Sequence, residues 1–409
     1  MRYFFTLILG ATILLYPKAP SIYADIEKTL KTDKKLQKFH SIVYYPNAIN
    51  LDFPGYIIGI EKSPKKAVAQ SDINYNLKNK AIGVKANYKA IKAKKKALYI
   101  SHILKYNGCN KESKFLYNLY TKDKKYIPNA YYKSFEALHR FQDDIEKSIK
   151  NYDSVIIFIM GWNTSQEEAI RDFKSLYNNF KKASKNQINP LFIGLTWPSE
   201  WESSLVPDAL VKISSFPVKA KDADELGLGW LGVMLHKSLQ NIDKPIFVIG
   251  HSFGARATAM ATFEGNLYYK DKPYKKRYIH TLISLQGAYS VKRFLPGGID
   301  ALEFDISNVA QVVLTSSKYD SAMDSAFWSR SYAGDDKSYN RYCKEEKKFN
   351  CGIYTKDYKI EFNRASKITY LECSSIIKNN AYLSGGGAHS DIYDYEMGEL
   401  LYKIVKLVK

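Results

Sequence analysis

The stretch Lys244–Ala257, KPIFVIGHSFGARA, decides the fold. Its opening run, Lys244–Ile249, is dominated by apolar and β-branched side chains and reads as a strand buried on both faces. Gly250-His251-Ser252-Phe253-Gly254 follows, and Ala255-Arg256-Ala257 opens a helix. A chain that passes from strand to helix in so few residues must turn very tightly, in a strained backbone conformation. Side chains two positions either side of the turn would collide, so Gly250 and Gly254 flank Ser252. The turn lifts the Ser252 hydroxyl above the sheet. The helix that follows directs the positive end of its dipole toward charge developing there. Taken as a bare pattern, the same residues could be a helix-capping serine in a glycine-rich turn. The strand before and the helix after favour a nucleophile.

Working outward, Ser154–Met160 (SVIIFIM), Pro190–Thr196 (PLFIGLT), Ile279–Leu285 and Val309–Thr315 are further apolar runs of strand length, with a shorter one at Ala97–Ile100. Helical spacing runs through Ser134–Lys150, Gln166–Ala183, Trp230–Leu239 and Tyr393–Val408. This alternation predicts an α/β protein with a mostly parallel central sheet and helices on both faces. In such sheets ligands sit beyond the carboxyl ends of the strands, which is where the polar motifs fall.

The 409 residues are 45% hydrophobic and 25% charged, ordinary for a globular chain, which excludes wholesale disorder. Met1-Arg2, the apolar run Tyr3–Tyr16 and the segment Pro17–Ala24 have the pattern of a signal peptide over residues 1–24. The run is shorter than the roughly 20 residues that span a bilayer. Export to the periplasm or the medium is therefore expected, with an uncleaved anchor as the alternative. Export permits disulfides among Cys109, Cys343, Cys351 and Cys373, and the most local pairing is Cys343 with Cys351. Neither a CxxC nor a His/Cys spacing suited to zinc occurs.

The charge is uneven. Residues 25–150 carry 26 Lys+Arg against 12 Asp+Glu, in a chain of net charge +20. That third could meet an anionic membrane surface, although abundant Lys, Tyr, Asn and Ile equally fit compositional bias. Nucleic acid is not expected as a partner, because export removes the usual target and no binding module appears. Residues 25–95 read as a basic, Lys/Tyr-rich N-terminal extension with short strand-like pieces such as Gly55–Ile60, ahead of a main domain over residues 96–409.

With these residues in view, the chain resembles the alpha/beta-hydrolase superfamily of esterases, lipases and related acyl hydrolases. Val248–Ala257 (VIGHSFGARA) looks like its nucleophile elbow. Phe158–Asn163 (FIMGWN) is similar to its oxyanion loop, commonly H-G-[FW]-N, and Thr196–Ser199 (TWPS) resembles a strand end of one bacterial branch. The likeness covers roughly residues 96–409. Met160 departs from it: the family often has His there, which supports the loop and does not perform the chemistry.

The resemblance implies Ser252 as nucleophile and an oxyanion hole formed by the backbone N–H groups of Phe253 and Trp162. It also implies a chain order of serine, acid, histidine. Of the seven histidines only His280 and His389 follow Ser252. His280 leads into a strand and leaves little room for an acid before it. His389, in the loop SGGGAHS before the last helix, is the expected base. His251 is expected to pack or hydrogen-bond rather than react. The acid should follow the strand Val309–Thr315, making Asp320 the first choice, Asp324 the second and Asp305, which precedes the strand, a weak third.

These expectations amount to an exported serine hydrolase that cleaves carboxylic esters, lipid esters among them, through an acyl-enzyme, with no metal or organic cofactor required. A cap-like insertion near residues 201–229 would supply Leu205, Val206, Leu210, Val211, Ile213 and Phe216 for an acyl chain, or these would simply pack in the core. The competing readings are an exported acyltransferase or peptidase with the same triad, and a binding protein on a hydrolase scaffold.

Overall fold

The computed structural model describes residues 54–62, 98–107, 114–119 and 130–408. Within the last span, 163, 165, 200–207, 267, 270–271, 274, 300–301, 325–330, 358, 363–364 and 380–387 are not described. The expected signal peptide over residues 1–24, Cys109, and most of the basic region lie outside the described residues.

Ten strands form one sheet in the order β11-β12-β10-β9-β6-β4-β5-β1-β2-β3. Their ranges are β1 Pro54–Lys62, β2 Leu98–Asn107, β3 Lys114–Asn118, β4 Ser154–Ile159, β5 Pro190–Thr196, β6 Ile246–His251, β9 Ile279–Leu285, β10 Val309–Ser316, β11 Asn350–Ile353 and β12 Ile368–Glu372. The two-residue strands β7 (Tyr268–Tyr269) and β8 (Lys272–Pro273) make a separate ribbon. From β11 through β1 every neighbouring pair is parallel, whereas β1–β2 and β2–β3 are antiparallel. Strands β4, β5 and β6 are buried along their whole length, as continuous apolar runs require when both faces are covered.

The helices are α1 Ala130–Ser148, α2 Gln166–Ala183, α3 Asp208–Leu226, α4 Phe253–Glu264, α5 Asp336–Glu345 and α6 Tyr395–Val408. Adjacent residues of β1 show the two covered faces. Tyr56 meets Phe141 of α1 edge-on at 5.0 Å, while Ile57 lies on the side of Phe173 of α2, where both crowd Gly194. Phe158 and Phe192 join Phe173 on that second face. Helix α6 packs against α2, and α4 packs beneath β6 and β9 beside α3.

Two boundaries differ from expectation. The divide near residue 95 does not separate two units, because β1 is inserted between β5 and β2 in the main sheet. Its PGYIIGIEK sequence is apolar enough for that central position. The expected cap over 201–229 is, in its described part, a packed helix. Ala220, Asp222, Ala223, Asp224, Glu225 and Leu226 are buried, and the chain continues into π-helical turns at Gly227–Leu231 and Met234–Ser238. There a Cβ on Gly227 would come 2.4 Å from the Ala257 carbonyl, so the backbones of this segment and α4 nearly touch. Leu205 and Val206 lie outside the described residues, as do the side chains of Leu210, Val211, Ile213 and Phe216.

A disulfide joins Cys343 at the end of α5 to Cys351 in the edge strand β11, and Cys373 is buried as a free thiol. No helix among the described residues is long and apolar enough to cross a membrane.

Candidate active site

Ser252 stands between β6 and α4 with φ +53° and ψ −120°, a conformation that non-glycine residues rarely adopt. Such a conformation costs of order 1–3 kcal/mol and persists only where its surroundings impose it. The pins are visible. The Ser252 N–H donates to the Leu285 carbonyl at 3.0 Å, and the Ser252 carbonyl accepts from Ala255 and Ala288, each at 3.1 Å. Both flanking glycines are sterically required. A Cβ on Gly250 would come 2.5 Å from the Ala255 backbone, and one on Gly254 would come 2.2 Å from the Ile159 carbonyl. The crossing of α4 behind the end of β4 is therefore possible only without a side chain at residue 254.

The segment after β4 lies directly against this turn. A Cβ on Gly161 would sit 3.0 Å from the Ser252 Cβ and 3.1 Å from His251 Nδ1. Trp162 follows, half-buried, its ring 6.2 Å from that of Phe253. Helix α4 opens at Phe253, so the N–H of that residue belongs to the first turn of the helix. The segment is braced by the end of β5. The buried Trp197 indole donates to the Met160 carbonyl at 3.0 Å. The Ser199 hydroxyl donates to the Thr164 carbonyl at 2.6 Å and accepts from the Thr164 N–H at 3.1 Å. The Met160 side chain itself is fully buried. Apolar packing and a Trp197 hydrogen bond to its main chain thus hold the position where the resemblance would put a histidine.

Asp320 lies in the loop after β10, with its carboxylate fully buried, and its Oδ2 accepts from His389 Nδ1 at 2.8 Å. The bond puts the imidazole proton on Nδ1 and leaves Nε2 as the basic nitrogen. Main-chain pairing of the Ala388 N–H with the Tyr319 carbonyl, at 3.1 Å, joins the two loops. His251 Nε2 lies 2.8 Å from the His389 carbonyl oxygen, and the two rings stand 4.6 Å apart. A carbonyl can only accept, so Nε2 of His251 carries its proton. Burial, then the neighbouring His389, hold its pKa well below the usual histidine value, and it stays neutral.

Of the remaining candidates, His280 and Asp305 lie elsewhere. His280 is at the opposite end of the sheet, where its Nδ1 accepts from the Ile246 N–H at the start of β6, at 3.2 Å. Asp305 caps the short 3-10 turn that precedes β10. Asp324 ends a single helical turn, Ser321–Asp324, and its side chain is not described. Among the described residues no three His, Cys, Asp or Glu side chains are placed to hold a metal ion.

Sequence reasoning missed Gln286. The first residue beyond β9, it is fully buried with φ +46°, and its Nε2 lies 3.0 Å from Asp320 Oδ2 and 3.2 Å from the His389 carbonyl. No local signal marks it, because its partners are loops remote in the chain. The bracing by Trp197 and Ser199 was also unforeseen, although Thr-Trp-Pro-Ser stood out as a motif.

Residues 134–265, from α1 through the first residue past α4, match the model of a family described as "Alpha/beta hydrolase of unknown function (DUF900)". No curated protein matches the chain. The matched span contains β4, β5, β6 and the Ser252 turn. With its ten-stranded, mostly parallel sheet covered by helices on both faces, the chain has an alpha/beta-hydrolase fold.

Proposed function

We propose that the protein is an exported serine hydrolase that cleaves carboxylic esters through an acyl-enzyme on Ser252. The observation that carries this reading is the strained Ser252 turn at the same end of the sheet as the Asp320–His389 pair. In the proposed reaction His389 Nε2 removes the proton from Ser252 Oγ as the oxygen attacks the ester carbonyl. The imidazolium formed is stabilised by Asp320, which also holds the tautomer. The N–H groups of Phe253 and Trp162 receive the oxyanion, and α4 adds its positive end. His389 returns its proton to the departing alcohol, and water attacks the acyl-enzyme by the same route in reverse.

Export is supported by the pattern of residues 1–24 together with the Cys343–Cys351 disulfide, since such bonds persist in oxidising compartments. Attachment of the basic third to anionic membrane is proposed from charge alone. Binding to anionic vesicles that survives about 0.5 M salt would contradict it, because screening is then strong.

The deciding test treats the full chain with a fluorophosphonate and locates the adduct by mass spectrometry. An adduct on Ser252 is expected. An unmodified chain would favour a binding protein on a hydrolase scaffold. A panel of p-nitrophenyl esters of increasing acyl length then defines the substrate. Labelling without hydrolysis of any of them would favour an acyltransferase or peptidase.

A further inference from the structure

Behind the Ser252 turn the chain leaves β9 through Gln286 in a left-handed conformation, φ +46°, that glycine adopts without strain and glutamine does not. The backbone is wedged there. The Gln286 N–H donates to Thr315 Oγ1 at 3.0 Å, and a Cβ on Gly334 would lie 2.6 Å from the Gln286 carbonyl carbon. The side chain lies among groups that only accept: Asp320 Oδ2 at 3.0 Å, the His389 carbonyl at 3.2 Å and the Ala388 carbonyl at 3.4 Å. This settles the amide's orientation, with the NH₂ toward them. From the other side His251 Nε2 donates to the same His389 carbonyl at 2.8 Å.

We infer that Gln286 is a positioning residue that bridges the acid and the base of the triad. One N–H fixes the Asp320 carboxylate that orients His389 Nδ1. The other, with His251, clamps the backbone of His389. The inference rests on the serine-hydrolase reading above. The bridge has an electrostatic consequence as well as a geometric one. A carboxylate that accepts an N–H is less basic, so it holds an imidazolium less tightly. Without Gln286 the Asp320 carboxylate grips the protonated imidazole more strongly. The titratable groups facing His389 among the described residues are Asp320 from the β10 loop and His251 from β6, with Tyr393 and Asp172 behind His251.

The experiment follows the rate of fluorophosphonate labelling against pH for the full chain and for Gln286→Met and Gln286→Gly. In this reaction the Ser252 Oγ–P bond forms, the P–F bond breaks and fluoride departs with the bonding pair, while the Oγ proton passes to His389. Methionine keeps the volume and removes the donors. Glycine removes the donors and accepts the φ of this position, so one variant folds even if the other does not. Labelling at neutral pH is expected to slow about 10–100-fold in both, and the acidic limb of the profile to move up by about one pH unit. A merely structural role would lower the yield of folded protein and leave the limb in place. A wild type that labels, with either folded variant labelling within about twofold of it and an unmoved limb, overturns the inference alone. A wild type that does not label overturns the serine-hydrolase reading and this inference with it.

Discussion

The antiparallel flank β1–β3 and the parallel half around β6, β9 and β10 both bury ionisable side chains, with opposite results. In the flank the charges close on one another. Lys62 meets Asp222 of α3 at 2.6 Å, Lys105 meets Asp144 of α1 at 2.6 Å, Tyr99 donates to the fully buried Glu61 at 3.1 Å, and His102 pairs with Ser101 at 2.9 Å. The two lysine pairs fasten β1 to α3 and β2 to α1. In the parallel half, the adjacent His251 and Ser252 meet Gln286, Asp320 and His389, so four separate segments converge at the carboxyl ends of the strands, with Ser252 and Gln286 in left-handed backbone conformations. Two buried histidines make the contrast concrete. His102 is a packing group on a strand, whereas His251 reaches across to the main chain of His389. Burial of charge alone does not mark a site. Convergence of separate loops, with strain sustained between them, does.

This contrast predicts that changes in the parallel half remove reactivity and spare the fold, and that changes in the flank do the reverse. The largest effect is expected for Ser252→Ala, which should lower ester turnover about 10⁴–10⁶-fold with an unchanged denaturation midpoint. Near-normal turnover by the folded variant would break the comparison at its centre. In the flank, Asp222→Ala leaves Lys62 beside apolar packing without its partner and should cost about 2–3 kcal/mol of stability by chemical denaturation. The Ser252 labelling rate of its folded fraction should match wild type. A loss of labelling would show that the flank does reach the site.

Smaller effects follow from the titrations. Burial lowers the His102 pKa to about 4, below the usual histidine value. The unfolded chain therefore takes up the proton first, so stability is complete above about pH 6.5 and falls as pH drops toward 4. His102→Gln should flatten that slope by about 2 kcal/mol between pH 7 and 5, read from urea midpoints at each pH. An unaltered slope would remove His102 from the account. Asp172, which accepts from Tyr393 behind His251, has the opposite sign. Burial raises its pKa to about 7, so the folded state binds a proton that the unfolded state releases near 4. Its penalty grows as pH rises to 7 and is full above it. Asp172→Asn should stabilise the fold at about pH 8 and have little effect near pH 4. Equal stabilisation at both values would deny the burial cause.

Much of the architecture was legible because its signals are local. The continuous apolar runs of β4, β5 and β6, the helical spacing of Gln166–Ala183, and the glycines around Ser252 each follow from neighbours a few residues apart. Strand β1 was legible as a strand-like piece and not as part of the sheet, since 35 residues separate it from β2 and its partner β5 begins only at Pro190. Strand β12, which pairs with β10, went unread for the same reason, as nothing near Ile368 announces that neighbour.

By itself the amino-acid order determined the strand–turn–helix at Ser252 and the alternation that makes a parallel sheet, because hydrophobic period and glycine sterics act within a few residues. Tertiary structure alone decided that the acid meeting His389 is Asp320, with Asp305 left at a turn before β10. It also decided that Gln286 joins that pair and that β1 completes the sheet. Hydrogen bonds between loops about 70 and 100 residues apart depend on where strand register brings each chain segment to its end, and no local pattern encodes that meeting.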